Sequence, residues 1–251
     1  MSKQHKWMKL VALLMVCSVF FLAACTNKDT ATGEKEKEKK EEVKEEKPLD
    51  GKEIIQKMNE SYATINNFGL KVKTTMGTEE VERYEMKVQL KPTEATSITV
   101  YDPEVGEING VYINNLTYIK VADMPQWELV PAEEDFSIAL RQFMNASKVD
   151  KTYNAEFMDA IDSTEVKQEG DDYVVRIKMN SDKFTLLLAK QQGVSGKFTT
   201  ATSVVTIDSK TYFPKKTVMS LEMEEQGIKV PTVTEMEYHS INQVEEIKAP
   251  K

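Results

Sequence analysis

Phe68-Gly69-Leu70-Lys71-Val72-Lys73-Thr74-Thr75-Met76, followed beyond Gly77 by Arg83-Tyr84-Glu85-Met86-Lys87-Val88-Gln89-Leu90, alternates apolar and polar or small side chains through two consecutive runs. A period of two sends every second side chain to the same side of a pleated strand. Each run therefore reads as a half-buried strand, and the glycine between them as the turn of an antiparallel pair. Pro92 ends the second run, Ile98 and Val100 mark a third strand, and residues 108–113 and 116–121 flank Asn114-Asn115 as a hairpin. Trp127 and Leu129 make a short strand closed by Pro131.

Upstream of this meander the period is 3.6. Ile54, Ile55, Met58, Tyr62 and Ile65 form one apolar stripe, with Asp50 as the capping residue and Glu53 placed to reach back in a variant of the capping box. Downstream, Glu133, Glu134 and Asp135 open a helix that carries Phe136, Leu140, Phe143 and Met144 on one face. A shorter helix is expected over 154–161 with Phe157, Met158 and Ile161. A strand follows with Tyr173, Val175, Ile177 and Met179, then a helix capped by Ser181 and stopped by Gly193. Strands return at 204–207, 211–223 and 228–242. Helix, strands, helices, strands is the order of an α+β domain with a large antiparallel sheet, and residues 51–251 read as one domain.

Before residue 50 the chain has another character. A basic opening (Lys3, His5, Lys6, Lys9) precedes an apolar run over 10–22, the layout of a secretory signal, and 13 residues fall short of the roughly 20 needed to span a bilayer. Leu22-Ala23-Ala24-Cys25 resembles the lipobox of bacterial lipoproteins. The resemblance implies that the signal is residues 1–24, that Cys25 becomes the first mature residue, and that a diacylglycerol on its sulfur is the membrane anchor. Residues 26–50 are nearly free of apolar side chains, with Glu and Lys alternating in short blocks over 34–47, so residues 25–50 read as a lipidated cysteine and a charged tether. As a flexible coil it reaches about 25–30 Å; partly helical, it would be stiffer.

Composition narrows the function. Loss of residues 1–24 removes Lys3, Lys6, Lys9, His5 and Cys17, leaving 30 basic against 41 acidic residues and a formal charge of −11. Nucleic acid is an unfitting partner for such a chain, and attachment to anionic lipid has to come from acyl chains rather than from a basic patch. With Cys25 acylated no thiol remains, so disulfides and cysteine chemistry are excluded by count, and His239 stands alone. No Gly-rich phosphate loop and no Gly-x-Ser-x-Gly elbow is present. The expectation is a protein without enzymatic activity, cofactor or metal. His239, Glu237 and Glu235 share one strand face, a spacing that could ligate a divalent ion but reads as a solvated face.

The stretch Ile207-Asp208-Ser209-Lys210-Thr211-Tyr212-Phe213-Pro214-Lys215-Lys216, the Val111–Ile119 hairpin leading to Trp127, and the ending with Ile247-Lys248-Ala249-Pro250 together resemble the LolA/LppX-like lipoprotein-carrier superfamily. The match is nearest an uncharacterised group of Gram-positive surface lipoproteins within it and runs over about 51–251. The resemblance implies an incomplete β-barrel, a large curved antiparallel sheet packed around helices, with an apolar space between them that holds a lipid or acyl chain. The expected location, on the outer face of the cytoplasmic membrane, follows from the lipobox resemblance at Cys25. The residues that would line that space are Leu70, Val72, Met86, Val88, Leu90, Ile98, Val100, Met219, Leu221 and Met236. Two readings of this face stand side by side: a wall for a hydrophobic ligand, or the inner side of a packed sheet serving as a protein-interaction scaffold. Methionines on strands, where β-branched residues are usual, suit a surface that repacks around varied apolar shapes.

Overall fold

The computed structural model describes residues 50–103, 105–122, 124–147, 155–192, 197–225 and 228–251. The signal, Cys25, nearly all of the tether, and Gly193 as a helix stop lie outside them. Four helices and eleven strands are described: α1 (Gly51–Tyr62), β1 (Asn67–Met76), β2 (Glu79–Gln89), β3 (Ala95–Asp102), β4 (Gly106–Ile113), β5 (Leu116–Val121), β6 (Glu128–Val130), α2 (Asp135–Ala146), α3 (Ala155–Ala160), β7 (Ile161–Glu169), β8 (Asp172–Met179), α4 (Ser181–Gln192), β9 (Lys197–Asp208), β10 (Pro214–Glu225) and β11 (Ile228–His239). All eleven strands join one open, curved antiparallel sheet in the order β6-β5-β4-β3-β2-β1-β11-β10-β9-β8-β7. Two meanders, β1 to β6 and β7 to β11, thus meet along β1 and β11, the first and last strands of the chain.

The alternating pattern decides which side is inner. Leu70, Val72, Met86, Val88, Ile98 and Val100 are all buried while Lys71, Lys73, Glu85 and Lys87 are exposed. The helices lie on the buried side. α1 begins over β7, where Gly51 sits against Thr164 and Val166, and its last residue, Tyr62, hydrogen-bonds Tyr238 of β11. Twelve helical residues cover about 18 Å, close to the roughly 19 Å between five adjacent strands, so α1 crosses half the sheet. α2 rests on β3, β4 and β5, and α4 on β9.

Several expectations are corrected. Asp50 does cap α1, its carboxylate accepting from Lys52 N at 2.9 Å, but Glu53 pairs with Lys57 at 2.8 Å instead of reaching back. α4 is capped by Asn180, whose Oδ1 accepts from Lys183 N, while Ser181 Oγ donates to the Thr199 carbonyl. The short helix ends at Ala160. Ile161 instead begins β7, a strand whose polar run Asp162-Ser163-Thr164-Glu165 carries no inward apolar rhythm. β9 is twelve residues long rather than four, because its first half packs small Ala201 and Ser203 inward. The third C-terminal strand stops at His239, and the second starts at Pro214 rather than at 211. A register shift at Pro214–Lys216 accommodates the proline.

Candidate functional site

One row of directly opposed residues runs across ten strands on the inner face: Val166, Val175, Val205, Thr217, Met236, Val72, Tyr84, Val100, Ile108 and Val121. A single member, Thr217, is aliphatic and polar at once. Nine spacings of about 4.8 Å make the row about 43 Å long if laid flat. Beside it run Tyr238, Leu70, Met86, Ile98, Gly110 and Ile119. The ten residues singled out from sequence all belong to this face, nine of them buried and Leu90 half-buried, in one cluster with Ile55 and Met58 of α1 and Phe136, Leu140 and Met144 of α2.

Methionine is concentrated here. Met219 and Met236 lie on the neighbouring strands β10 and β11, Met86 lies on β2 across β1 from them, and Met58 and Met144 join the same buried cluster from helices. Unbranched thioethers refill irregular space more readily than the Val and Ile that dominate the row. Leu70, Val88 and Met236 expose none of their surface, so no space large enough for water touches them in the described arrangement.

The wall is not uniformly apolar. On the other side of the valine row, Ser203, Met219, Thr234, Thr74 and Glu82 stand opposite one another in turn. Thr74 Oγ1 donates to Glu82 Oε2 at 3.2 Å and lies 3.3 Å from Thr234 Oγ1. The buried hydroxyl of Ser203 makes no hydrogen bond among the described residues, an expensive state for a polar group. Sequence inspection passed over these positions because threonine and serine on a strand read as ordinary spacing residues.

α1 is held over the wall by the turn between β9 and β10. Asp208 accepts from Lys210 N, Thr211 N and Thr211 Oγ1 at 3.1, 2.8 and 2.9 Å, with Lys215 Nζ at 3.2 Å. These bonds, the Thr211 backbone first, pull the Asp208 carboxyl down to about 2. The turn puts Tyr212 at a φ of 57°, where its carbonyl accepts from Ser61 Oγ at 3.0 Å and its ring lies beneath Lys57 Nζ at 5.4 Å. Burial pushes the Tyr238 hydroxyl up to about 12, against the opposing hydrogen bond from Tyr62.

The outer face is of another kind. The His239 ring packs on Gly69, in the space a side chain there would take. Glu235 and Glu237 are both engaged by Lys216, at 2.8 and 3.4 Å, and the Lys216 ammonium is held charged by those bonds. A cleft of about 490 Å³ beside them is rimmed by Lys71, Lys215 and Lys216, each already paired with a carboxylate. Among the described residues no group of three His, Cys, Asp or Glu is placed to hold a metal. At the turns of the sheet, Glu80 is drawn below the usual carboxylate range by Lys73 and Arg83, and the adjacent Asp171 and Asp172 pair with Lys210 and Lys215. Each is an ion pair on a wetted surface.

Further along this face the C-terminal segment crosses the sheet. Val244 N donates to Asn67 Oδ1 and Ile247 N to Gln89 Oε1, which seats Ile247 in a small apolar cluster with Ala95, Val111, Ile113 and Trp127. No described helix is long and apolar enough to cross a membrane.

Comparison with known proteins adds the following. The model of a family of unknown function (DUF6612) matches residues 50–251. No curated protein matches the sequence. Solved structures similar to this one include a LolA superfamily protein from Nitrosomonas europaea, 9% identical, with 80% of this chain and 96% of that one covered and a TM-score of 0.28. The MucA/MucB complex of Pseudomonas aeruginosa is another, at 8% identity, 75% and 55% coverage and a TM-score of 0.34.

Proposed function

We propose that this chain, which belongs to the DUF6612 family of unknown function, is a membrane-anchored extracytoplasmic lipoprotein that binds a lipid or acyl chain along the inner face of its sheet. The observation that carries the reading is the ten-strand row from Val166 to Val121, an apolar track whose only polar groups are the hydroxyls of Thr217 and Tyr84 and which is bordered by methionines. Each methylene buried on such a track is worth about 0.8 kcal/mol, so ten supply about 8 kcal/mol before the cost of ordering the chain. The hydroxyl row of Ser203, Thr234 and Thr74 gives a polar head group somewhere to turn. Since no water-sized space touches Leu70 or Met236, entry requires α1 or α2 to lift. Both are held mainly by side-chain packing and a few hydrogen bonds. The role is binding rather than catalysis, with Cys25 as anchor and no cofactor.

The complete burial of Leu70, Val88 and Met236 also favours a second reading, in which the inner face is permanently filled and the sheet is a rigid scaffold for a protein partner. Native mass spectrometry of the protein extracted from membranes, with titration of a fluorescent fatty acid, separates the two. Co-purifying lipid mass and saturable uptake are expected. A mass equal to the acylated chain alone, with no uptake where a known carrier responds, leaves the scaffold.

A further inference from the structure

The two edges of the sheet are treated differently. β6 is three residues long, preceded by Pro125 and closed by Pro131, both of which discourage pairing. β7 is nine residues long and contains no proline. Its one irregularity is the register shift at Ile161–Ser163, which leaves 163–169 regular. Among the described residues nothing pairs with its free side. Glu165 and Lys167 stand exposed on its outer face and make no ion pair among the described residues, although Arg176 of β8 lies opposite Glu165. α1 meets this strand at Thr164 and Val166, on its inner face, and α3 leads directly into its first residue, Ile161.

From this edge we infer that two copies of the chain associate through antiparallel pairing of β7 with β7, centred on Val166. A two-fold axis through Val166 puts Glu165 of each copy opposite Lys167 of the other, Thr164 opposite Gln168, and Ser163 opposite Glu169. Both inner faces stay on the same side, because opposed residues then share parity. The alternatives are poorer. Centring on Glu165 sets Glu165 against Glu165, and centring on Lys167 sets Lys167 against Lys167 and Glu165 against Glu169. Centring on Thr164 carries the ladder through the irregularity at Ile161–Ser163, and centring on Gln168 leaves only three strand residues in register. The strand thus carries a charge pattern complementary to itself at the one register that uses its regular length. Opposite charges directly across a ladder stabilise it and like charges oppose it. The partner is therefore a second copy of this chain, and the inference does not depend on what the inner face binds.

The test measures mass against concentration for the full chain purified in a mild detergent, by sedimentation or light scattering. Wild type should pass from monomer to dimer. Glu165→Lys alone and Lys167→Glu alone should each weaken the dimer about tenfold, since each converts two attractions into two repulsions, and the double reversal should return to within about twofold of wild type. Both side chains involved are exposed, and circular dichroism checks that each variant keeps the fold. A monomer at every concentration, a dimer indifferent to the single reversals, a double reversal that fails to recover, or open-ended assembly in place of a dimer each overturns the inference.

Discussion

The ring of Phe136 occupies the place that a side chain at Gly110 would need: a β-carbon there would lie 2.6 Å from Phe136 Cζ and 2.8 Å from Ile98 Cγ2. Phe136 is itself buried, so the close approach of α2 to the wall depends on a residue without a side chain. Gly110→Ala should cost about 1–3 kcal/mol in denaturant unfolding, the range of core overpacking, with α2 the first segment to lose hydrogen-exchange protection. An unchanged midpoint would mean that the ring rotates away freely.

The Asp208 turn predicts a pH dependence with a definite sign. A carboxyl held at about 2 in the folded chain, against 3.8 unperturbed, contributes stability that is present above pH 4 and is lost as pH falls towards 2. Asp208→Asn should therefore be less stable than wild type by about 2 kcal/mol at neutral pH, with the difference closing below pH 4. Because the same turn presents Tyr212 to Ser61 and Lys57, the variant should also expose α1 to proteolysis. A gap that stays constant down to pH 2 would argue against the carboxylate as its source.

Val72 lies at the centre of the valine row and is 2% exposed. Val72→Phe should lower fatty-acid uptake by obstructing the track while costing about 1–3 kcal/mol of stability. Val88→Asp, which buries a charge, should damage folding and uptake together and so is the less informative change. Uptake unaltered by Val72→Phe, in a folded variant, would move the ligand away from this row.

Ile247 offers the matching control on the opposite face. Ile247→Ala removes the apolar anchor of the C-terminal segment and should cost about 2 kcal/mol, with uptake by the remaining folded protein unchanged. Loss of uptake out of proportion to stability would link the two faces.

Cys25→Ala tests the anchor independently of everything inside the domain. The variant should be released to the medium or retained unprocessed with its signal attached. Membrane fractionation identical to wild type, after removal of the signal, would assign attachment to another part of the chain.

Where the sequence was legible, the residues satisfied two demands at once. The hairpin of 108–113 and 116–121 was readable at its turn and in its second strand, because Asn114 and Asn115, at φ of 53° and 63°, are the residue type that the turn requires; its first strand in fact begins two residues earlier, at Gly106. The inner face was readable from alternation alone. β7 was not, since an edge strand packed on one side by a helix terminus needs little apolar content, and Ile161 and Val166 are its only aliphatic residues. The hydroxyl row was equally hidden, because Thr74, Ser203 and Thr234 acquire meaning only when strands distant in sequence are laid side by side. Ser181 was given the cap that belongs to Asn180, an error of one residue between two side chains with the same chemistry.

The meeting of β1 with β11 sets the order in which this protein can become itself. Each meander consists of neighbours in sequence and can form locally, but the pairing of Val72 with Met236 closes a loop that spans nearly the whole domain, the slow kind of contact. The centre of the apolar track is that very pairing. A chain still being synthesised therefore has no continuous track until its last described strand has been made, and a product truncated before that strand would display two half-tracks with nothing to join them.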